Sequence, residues 1–228
     1  IQKNGKIAMK LNSGDNLIGV SSCNEENDIF LSTKSGKSIR FPIGDIRLFK
    51  GRNSVGVRGI KLVKKDKVIS MSIQNHVDFD VNTRDSYLKL SKRMRSEEKS
   101  EGEEINIPRS DFNRLKKGEE FILAVTKKGY GKRTSAYEYR ITNRGGQGVT
   151  SISTSERNGE VIAAFPVQSD DQVMMITDAG KLIRIPVNDI RIAGRTTQGV
   201  KMFQTSGDES VVSVARLPNV DEKVIKNV

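Results

Sequence analysis

Three arginines stand in one recurring phrase. It reads Gly51-Arg52-Asn53-Ser54-Val55-Gly56-Val57, then Asn143-Arg144-Gly145-Gly146-Gln147-Gly148-Val149, then Gly194-Arg195-Thr196-Thr197-Gln198-Gly199-Val200. Other cations recur around it. Lys37, Lys132 and Lys181 follow a short turn, Arg133 comes directly after Lys132, and Arg40 and Arg184 lie on the run after the turn. Arg47 and Arg191 precede the phrase, and Arg58 and Lys61 follow its first copy. Cations spaced along one rim neutralise successive phosphates of a polyanion and offset the cost of bending a duplex. The same residue types also solvate loops and blunt edge strands, so position has to decide between the two uses.

Bond-making chemistry finds no support. His76 is the only histidine and Cys23 the only cysteine, so neither a His/Cys metal cluster nor a Cys-His pair can be assembled. Of the four tyrosines (Tyr87, Tyr130, Tyr137, Tyr139), Tyr137 and Tyr139 read as strand residues. Asp170-Asp171 and Asp178 read as loop solvation and a hairpin turn rather than a cation site. No catalytic residue, metal site or cofactor is expected.

Charge is more telling by segment than in total. The 228 residues carry 39 Lys+Arg against 28 Asp+Glu, a net charge of +11. Residues 29–71 hold 11 basic and 2 acidic groups, whereas 72–119 balance at 10 and 10 and 168–228 at 8 and 8. An excess gathered between Lys34 and Lys67 suits a track for a polyanion better than general solubility. Base reading is not expected, because no recognition helix or aromatic stacking set is present. A lone cysteine excludes an internal disulfide framework and fits a reducing cytoplasm. No apolar run is long enough to span a bilayer, no signal peptide is read, and no membrane partner is expected. The chain opens at Ile1, without Met and part-way through a repeat, and is read as a piece of a longer protein.

The elements that must position these cations repeat. Gly148 and Gly199, which close two copies of the phrase, are 51 residues apart, so one supersecondary unit is used several times. Each unit starts with an apolar run and a glycine turn: Ile29 to Thr33 before Gly36, Phe121 to Thr126 before Gly129, Val173 to Thr177 before Gly180. A second strand follows, such as Ser38 to Pro42 or Leu182 to Pro186, then the phrase, then a third strand such as Val200-Lys201-Met202-Phe203. A polar turn leads to a fourth strand: Leu17 to Val20, Val68 to Met71, Val161 to Ala164, Val211 to Val214. Four short strands in about 50 residues are the signature of propeller-like blades. The expected organisation is a partial blade (1–28), blades at 29–71, 120–167 and 171–217, and a tail (218–228). Gly36, Gly56, Gly129, Gly148, Gly180 and Gly199 are expected to serve turns that need positive φ.

One interval breaks the period. Val161 to Val211 is 50 residues, but Val68 to Val161 is 93. The extra 72–119 segment reads as a mostly helical or irregular insertion on a blade. Ser110 or Asp111 is placed to cap a short helix before Leu115, a second helix runs from Tyr87 through Met94, and Ser96 to Glu104 reads as a mobile loop. Its exposure and mixed charge make it the region expected to touch another protein of the assembly.

The strings GYGKRTSAYEY (129–139), TDAGKLIR (177–184), GRTTQGV (194–200) and GVRGIKL (56–62) resemble the C-terminal domain of bacterial DNA gyrase A. The likeness covers the three whole blades and the opening partial one. It implies an all-β β-pinwheel, a ring of six four-stranded blades that differs from propellers in strand connectivity. It further implies a non-catalytic module that wraps double-stranded DNA on its basic rim. In the whole A2B2 enzyme, a gyrase A dimer joined by gyrase B, that wrap supports ATP-dependent negative supercoiling in the cytoplasm. The nucleophilic tyrosine of that family belongs to another domain. The family's basic box, Gln-Arg-Arg-Gly-Gly-Lys-Gly, has only a degenerate counterpart here, Thr142 to Gly148, in which Arg144 and three glycines match. The resemblance places the true box upstream of Ile1. Two alternatives stay open: the related topoisomerase IV domain, and a propeller-type protein-interaction scaffold. Candidate phosphate contacts are Lys37, Arg40, Arg47, Arg52, Arg58, Lys61, Lys132, Arg133, Arg144, Lys181, Arg184, Arg191 and Arg195.

Overall fold

In the first whole unit, β1 (Asn27–Thr33) and β2 (Lys37–Pro42) form a hairpin about Lys34-Ser35-Gly36, in register so that Ile29 faces Phe41 and Leu31 faces Ile39. A later strand, β3 (Val68–Asn75), returns to pair with β1, placing Ile73 opposite Ile29 and Met71 opposite Leu31. The computed structural model describes residues 6–96, 106–207 and 209–219.

The second unit repeats the plan with β4 (Phe121–Thr126), β5 (Tyr130–Ser135) and β7 (Val161–Val167), and between the last two lies the short β6 (Val149–Thr150). The third unit has β8 (Gln172–Thr177), β9 (Leu182–Pro186) and β11 (Val211–Leu217), with β10 (Val200–Lys201) between. The sheet orders are β3-β1-β2-β6, β10-β5-β4-β7 and β11-β8-β9. The third strand of the second and of the third unit therefore leaves its own sheet and completes the preceding one. Val149 pairs with Ser38, and Val200 pairs with Gly131. The fold is the expected all-β pinwheel, and this exchange ties its blades together.

The glycines that close the phrase make the exchange possible. Gly148 has φ +70°, and a Cβ there would meet the Ser38 carbonyl oxygen; Gly199 has φ +77° with Gly131 oxygen 2.8 Å from the same point. A side chain would keep the donated strand off its neighbour. All six glycines expected at positive φ have it, between +70° and +85°.

The core lies between sheets. Phe30 of β1 packs edge-on against Tyr139 with ring centroids 4.8 Å apart, joined by Ile122, Ala136 and Ala164 of the second unit. Leu123, Val125 and Val167 likewise meet Val173, Met175, Val187 and Val211 across the next boundary. Burying one side chain of the size of Phe30 or Met175 contributes about 2–3 kcal/mol, so each boundary is held mainly by apolar contact.

Several expectations need correction. Leu17 to Val20 form no strand and stand exposed. In the other units this strand pairs with the first strand of its own hairpin, whereas no strand pairs with Leu17 to Val20 among the described residues. Tyr137 lies in a 3₁₀ turn, Ala136–Glu138, and Tyr139 follows it, both after β5 has ended at Ser135. The third strand of the last unit is Val200–Lys201 alone, because only these two residues reach β5.

The insertion forms α1 (Val81–Arg95) and α2 (Arg109–Gly118). Asp80 caps α1 by accepting from the main-chain N–H of Asn82 and Thr83. Pro108, not Ser110 or Asp111, precedes the first residue of α2: its carbonyl takes the Phe112 N–H, and Asp111 falls within the first turn, where the helix dipole favours it. Tyr87, Leu115 and Tyr137 dock the two helices on the second unit, with the Tyr137 hydroxyl donating to the Leu115 carbonyl at 3.0 Å. Beyond Ser96 the expected loop to Glu104 lies outside the described residues, as does the tail beyond Asn219.

Candidate nucleic-acid interface

The hairpin register sorts the cations of the second strands. Arg40, Arg133 and Arg184 occupy one position, opposite Phe30, Leu123 and Met174. Arg40 is buried: its Nε donates to Asp28 Oδ2 at 2.7 Å, its Nη2 to the Asn75 carbonyl and its Nη1 to the Ala136 carbonyl of the next unit. Arg133 is also buried, and its Nε and Nη2 donate to the Ile190 and Asn188 carbonyls of the unit after it. Arg184 is exposed.

Lys132 is not the counterpart of Lys37 and Lys181, as its place after the turn suggests. It sits opposite Ala124, where Ile39 sits opposite Leu31 and Ile183 opposite Met175. Side chains alternate faces along a strand, so this site points inward. Lys132 Nζ donates to the carbonyls of Gly194 (2.5 Å) and Arg195 (2.7 Å) and to Thr197 Oγ1 (3.2 Å). Burial lowers its ammonium to about 8, with the attraction of Glu138 working against that shift and the charge of Arg195 with it.

The phrase arginines clasp the preceding unit. Arg144 donates from Nε to the Asp45 carbonyl at 2.9 Å and from Nη1 to the Arg58 carbonyl at 3.2 Å, while its main-chain N–H meets Asp45 Oδ2 at 3.3 Å. Arg195 repeats the pattern one unit on. Its main-chain N–H donates to Glu138 Oε2 at 2.9 Å and its Nη1 to the Thr150 carbonyl at 3.0 Å. Asp45, Glu138 and Asp189 each end the 3₁₀ turn of their unit, so acid and arginine form a repeated joint. Arg52, in the first copy of the phrase, is exposed and makes no ion pair among the described residues.

Arg40, Lys132, Arg133, Arg144 and Arg195 are therefore withdrawn as phosphate contacts. Most of their donors are engaged by carbonyls, carboxylates or hydroxyls of neighbouring strands and turns, so these cations act in the joints between units.

The remaining candidates are exposed: Lys37, Arg47, Arg52, Arg58, Lys61, Lys181, Arg184 and Arg191. Lys37 reaches Thr150 Oγ1 at 3.0 Å, and Arg47 lies 4.8 Å from the centroid of the Phe49 ring. Lys181 is engaged by Glu209 Oε2 at 2.7 Å. That contact and the N–H of Ser206 hold Glu209 down at about 2. One exposed arginine is missed by the glycine phrase. Arg140 follows Glu138-Tyr139 as Arg47 follows Asp45-Ile46 and Arg191 follows Asp189-Ile190. Aligning the units on the 3₁₀-turn acid finds it. Each unit thus presents one arginine just past this turn, and none of the three makes an ion pair among the described residues.

The first unit gathers the most charge. Lys37, Arg47, Lys50, Arg52, Arg58, Lys61, Lys64, Lys65 and Lys67 are all exposed, and none pairs with a carboxylate among the described residues. The two acids that lie between Lys34 and Lys67 are occupied within the fold. Asp45 holds the Arg144 joint, and Asp66 accepts from the Ser35 N–H and hydroxyl. Partial burial works against the Asp66 charge, but the bonds from Ser35 and Thr33 keep it below the usual carboxylate range. His76 Nδ1 lies 2.7 Å from Asp28 Oδ1 beside Arg40, a structural network. Among the described residues no group of three His, Cys, Asp or Glu side chains is placed to hold a metal ion. No described helix is long and apolar enough to cross a membrane.

The family model described as "DNA gyrase C-terminal domain, beta-propeller" matches residues 1–24, 27–75, 120–168 and 171–218. The chain belongs to the DNA gyrase C-terminal domain family. The matched segments are the three units and the residues before them, and the helical insertion lies outside the family pattern. The DNA gyrase A protein of Rickettsia prowazekii (strain Madrid E) is 44% identical over 97% of this chain and 25% of its own length. That of Haemophilus influenzae (strain ATCC 51907 / DSM 11121 / KW20 / Rd) is 39% identical over 97% of this chain and 23% of its own. The chain thus spans about a quarter of the length of the curated relatives it matches. In fold it is similar to a solved DNA gyrase A C-terminal domain, with TM-score 0.68 and 22% identity over 95% of this chain and 59% of that one. A DNA topoisomerase IV C-terminal domain follows with TM-score 0.65 and 19% identity over 90% and 52%.

Proposed function

We propose that this chain is a DNA-binding and DNA-bending module of a DNA gyrase A protein, without catalytic residues of its own. The observation that carries the reading is the first unit's surface, where nine cations stand exposed and free of carboxylates among the described residues. Such a surface neutralises phosphates without reading bases. The single arginine that each unit adds after its 3₁₀ turn supports a duplex passing from blade to blade. These spaced contacts offset the cost of bending over successive blades. In the whole enzyme, an A2B2 assembly in the cytoplasm, the bent segment would serve ATP-driven negative supercoiling.

The test is a titration of this chain with a short duplex at several salt concentrations. A log affinity falling linearly with log salt, by about 0.9 for each phosphate contacted, is expected, with little dependence on sequence. Absence of duplex binding at low salt, with tight and salt-insensitive capture of a protein instead, would favour an interaction scaffold and defeat the proposal.

A further inference from the structure

We propose that the cleft between α1 and the third unit is a second seat for the phosphodiester backbone of duplex DNA. The inference rests on the reading of the chain as a DNA-binding module, and it extends the path onto the helical insertion. The cleft has a volume of ≈ 1040 Å³. One wall is the face of α1 bearing Lys89, Lys92 and Arg95; the other offers Arg191, beside Arg133 and Arg195, whose assigned donors are engaged in the joints between units.

The charge of this cleft is unbalanced. Lys89, Lys92 and Arg95 follow one another at three-residue spacing, where like charges on a helix repel. Lys89 and Lys92 are exposed and make no ion pair among the described residues. Arg95 and Arg133 both face the Phe121 ring, at 5.5 and 6.0 Å from its centroid, so two guanidinium groups converge on one aromatic. Burial lowers Arg133 from its ordinary value and the charge of Arg95 lowers it further, against the attraction of Asp189. Arg95 is itself drawn to Glu119 at 3.7 Å, but the carboxylates lining the cleft leave Lys89, Lys92 and Arg191 without an ion pair among the described residues. Asp85 is taken by Arg84 at 2.8 Å and Glu138 by the Arg195 joint, which leaves Asp189 as the acid without an ion pair among the described residues.

Two observations select a polyanionic strand over a small ligand or an acidic protein segment. The volume stands at the upper end of the roughly 300–1,000 Å³ of small-molecule pockets, and exposed cations stand on both walls, Lys89 and Lys92 on one and Arg191 on the other. Arg191 belongs both to the cleft and to the series Arg47, Arg140, Arg191, one per unit. A backbone following that series is delivered to the cleft mouth.

The experiment compares the full chain with Lys89→Glu/Lys92→Glu and, as a control of equal charge change on the same insertion, Lys116→Glu/Lys117→Glu on α2. Duplex affinity is measured across a salt series, with thermal unfolding to verify folding. The cleft variant is expected to lose roughly tenfold or more in affinity, with a log–log salt slope shallower by about 1.8, while the control keeps the native slope. If the parent chain binds duplex and the two variants behave alike, the cleft assignment fails and the module reading stands. If the parent chain does not bind duplex, both fall. A polyglutamate peptide that binds the parent chain and not the cleft variant, when the duplex makes no such distinction, overturns the assignment in favour of a protein partner.

Discussion

Arg195 reaches back across a blade boundary to Thr150, its Nη1 3.0 Å from that carbonyl, while its main-chain N–H is held by Glu138 Oε2 at 2.9 Å. Arg144 does the same to Arg58 and Asp45 one unit earlier. The arginine of the recurring phrase is a fastener between units.

Arg195→Ala is therefore expected to act on stability. Removing a charged donor that satisfies a neighbouring strand costs about 2 kcal/mol, read as a lower unfolding midpoint. The salt slope of duplex binding, measured under conditions where the variant is folded, stays at the parent value. A slope shallower by a full contact would return Arg195 to the DNA track.

Arg47→Glu, Arg140→Glu and Arg191→Glu should behave in the opposite way. Each side chain is exposed and makes no ion pair among the described residues, so unfolding midpoints stay near that of the parent. Each replacement flattens the salt slope by about 0.9 and weakens duplex of any sequence equally. Arg140 is the sharpest case. An unchanged slope there breaks the one-per-unit series.

Asp28 and Arg40 form a buried ion pair, 0% and 3% exposed. Arg40→Met leaves the carboxylate with His76 alone and is expected to cost about 3–5 kcal/mol in a denaturant melt. Replacing both, as Asp28→Leu with Arg40→Met, recovers a substantial part because no buried charge is left unpaired. A double variant no more stable than Arg40→Met would show that the contacts of Arg40 to Asn75 and Ala136 carry the joint.

Glu209 gives the third unit a dependence on acid. Its folded value, about 2, lies below the ordinary 4.5. Its contribution is complete above about pH 4.5 and is lost as pH falls toward 2, because the unfolded chain takes up the proton first. Glu209→Gln should remove this limb from the curve of unfolding free energy against pH between those values, leaving the other carboxylates to titrate. An identical curve for the variant would exclude Glu209 from acid lability.

How much was legible followed the range of each interaction. Gly36, Gly129 and Gly180 marked hairpins correctly because turn geometry is set by a few neighbouring residues. Strand period was equally local, and so was the break between Val68 and Val161 that set the insertion apart. The start of α2 lies two or three residues before the expected Ser110 or Asp111, because the Pro108 carbonyl already takes the Phe112 N–H and closes the first turn. Leu17 to Val20 had the composition of a strand but pair with no strand among the described residues.

The cations divide on the same line. By itself the sequence determined the bladed repeat, the concentration of positive charge between Lys34 and Lys67, and the want of histidine and cysteine for catalytic or metal chemistry. Those are properties of composition and of contacts a few residues apart. Only the tertiary structure decided which arginines face solvent. Arg133 and Arg191 look alike in sequence, yet the first is 7% exposed and donates to the next unit, whereas the second is open. Their difference arises because the 3₁₀-turn segment of the following unit packs over β2 and β5, so a side chain there is buried by residues more than fifty or ninety positions away. Burial by a neighbour at that distance leaves no mark in the local pattern of the chain.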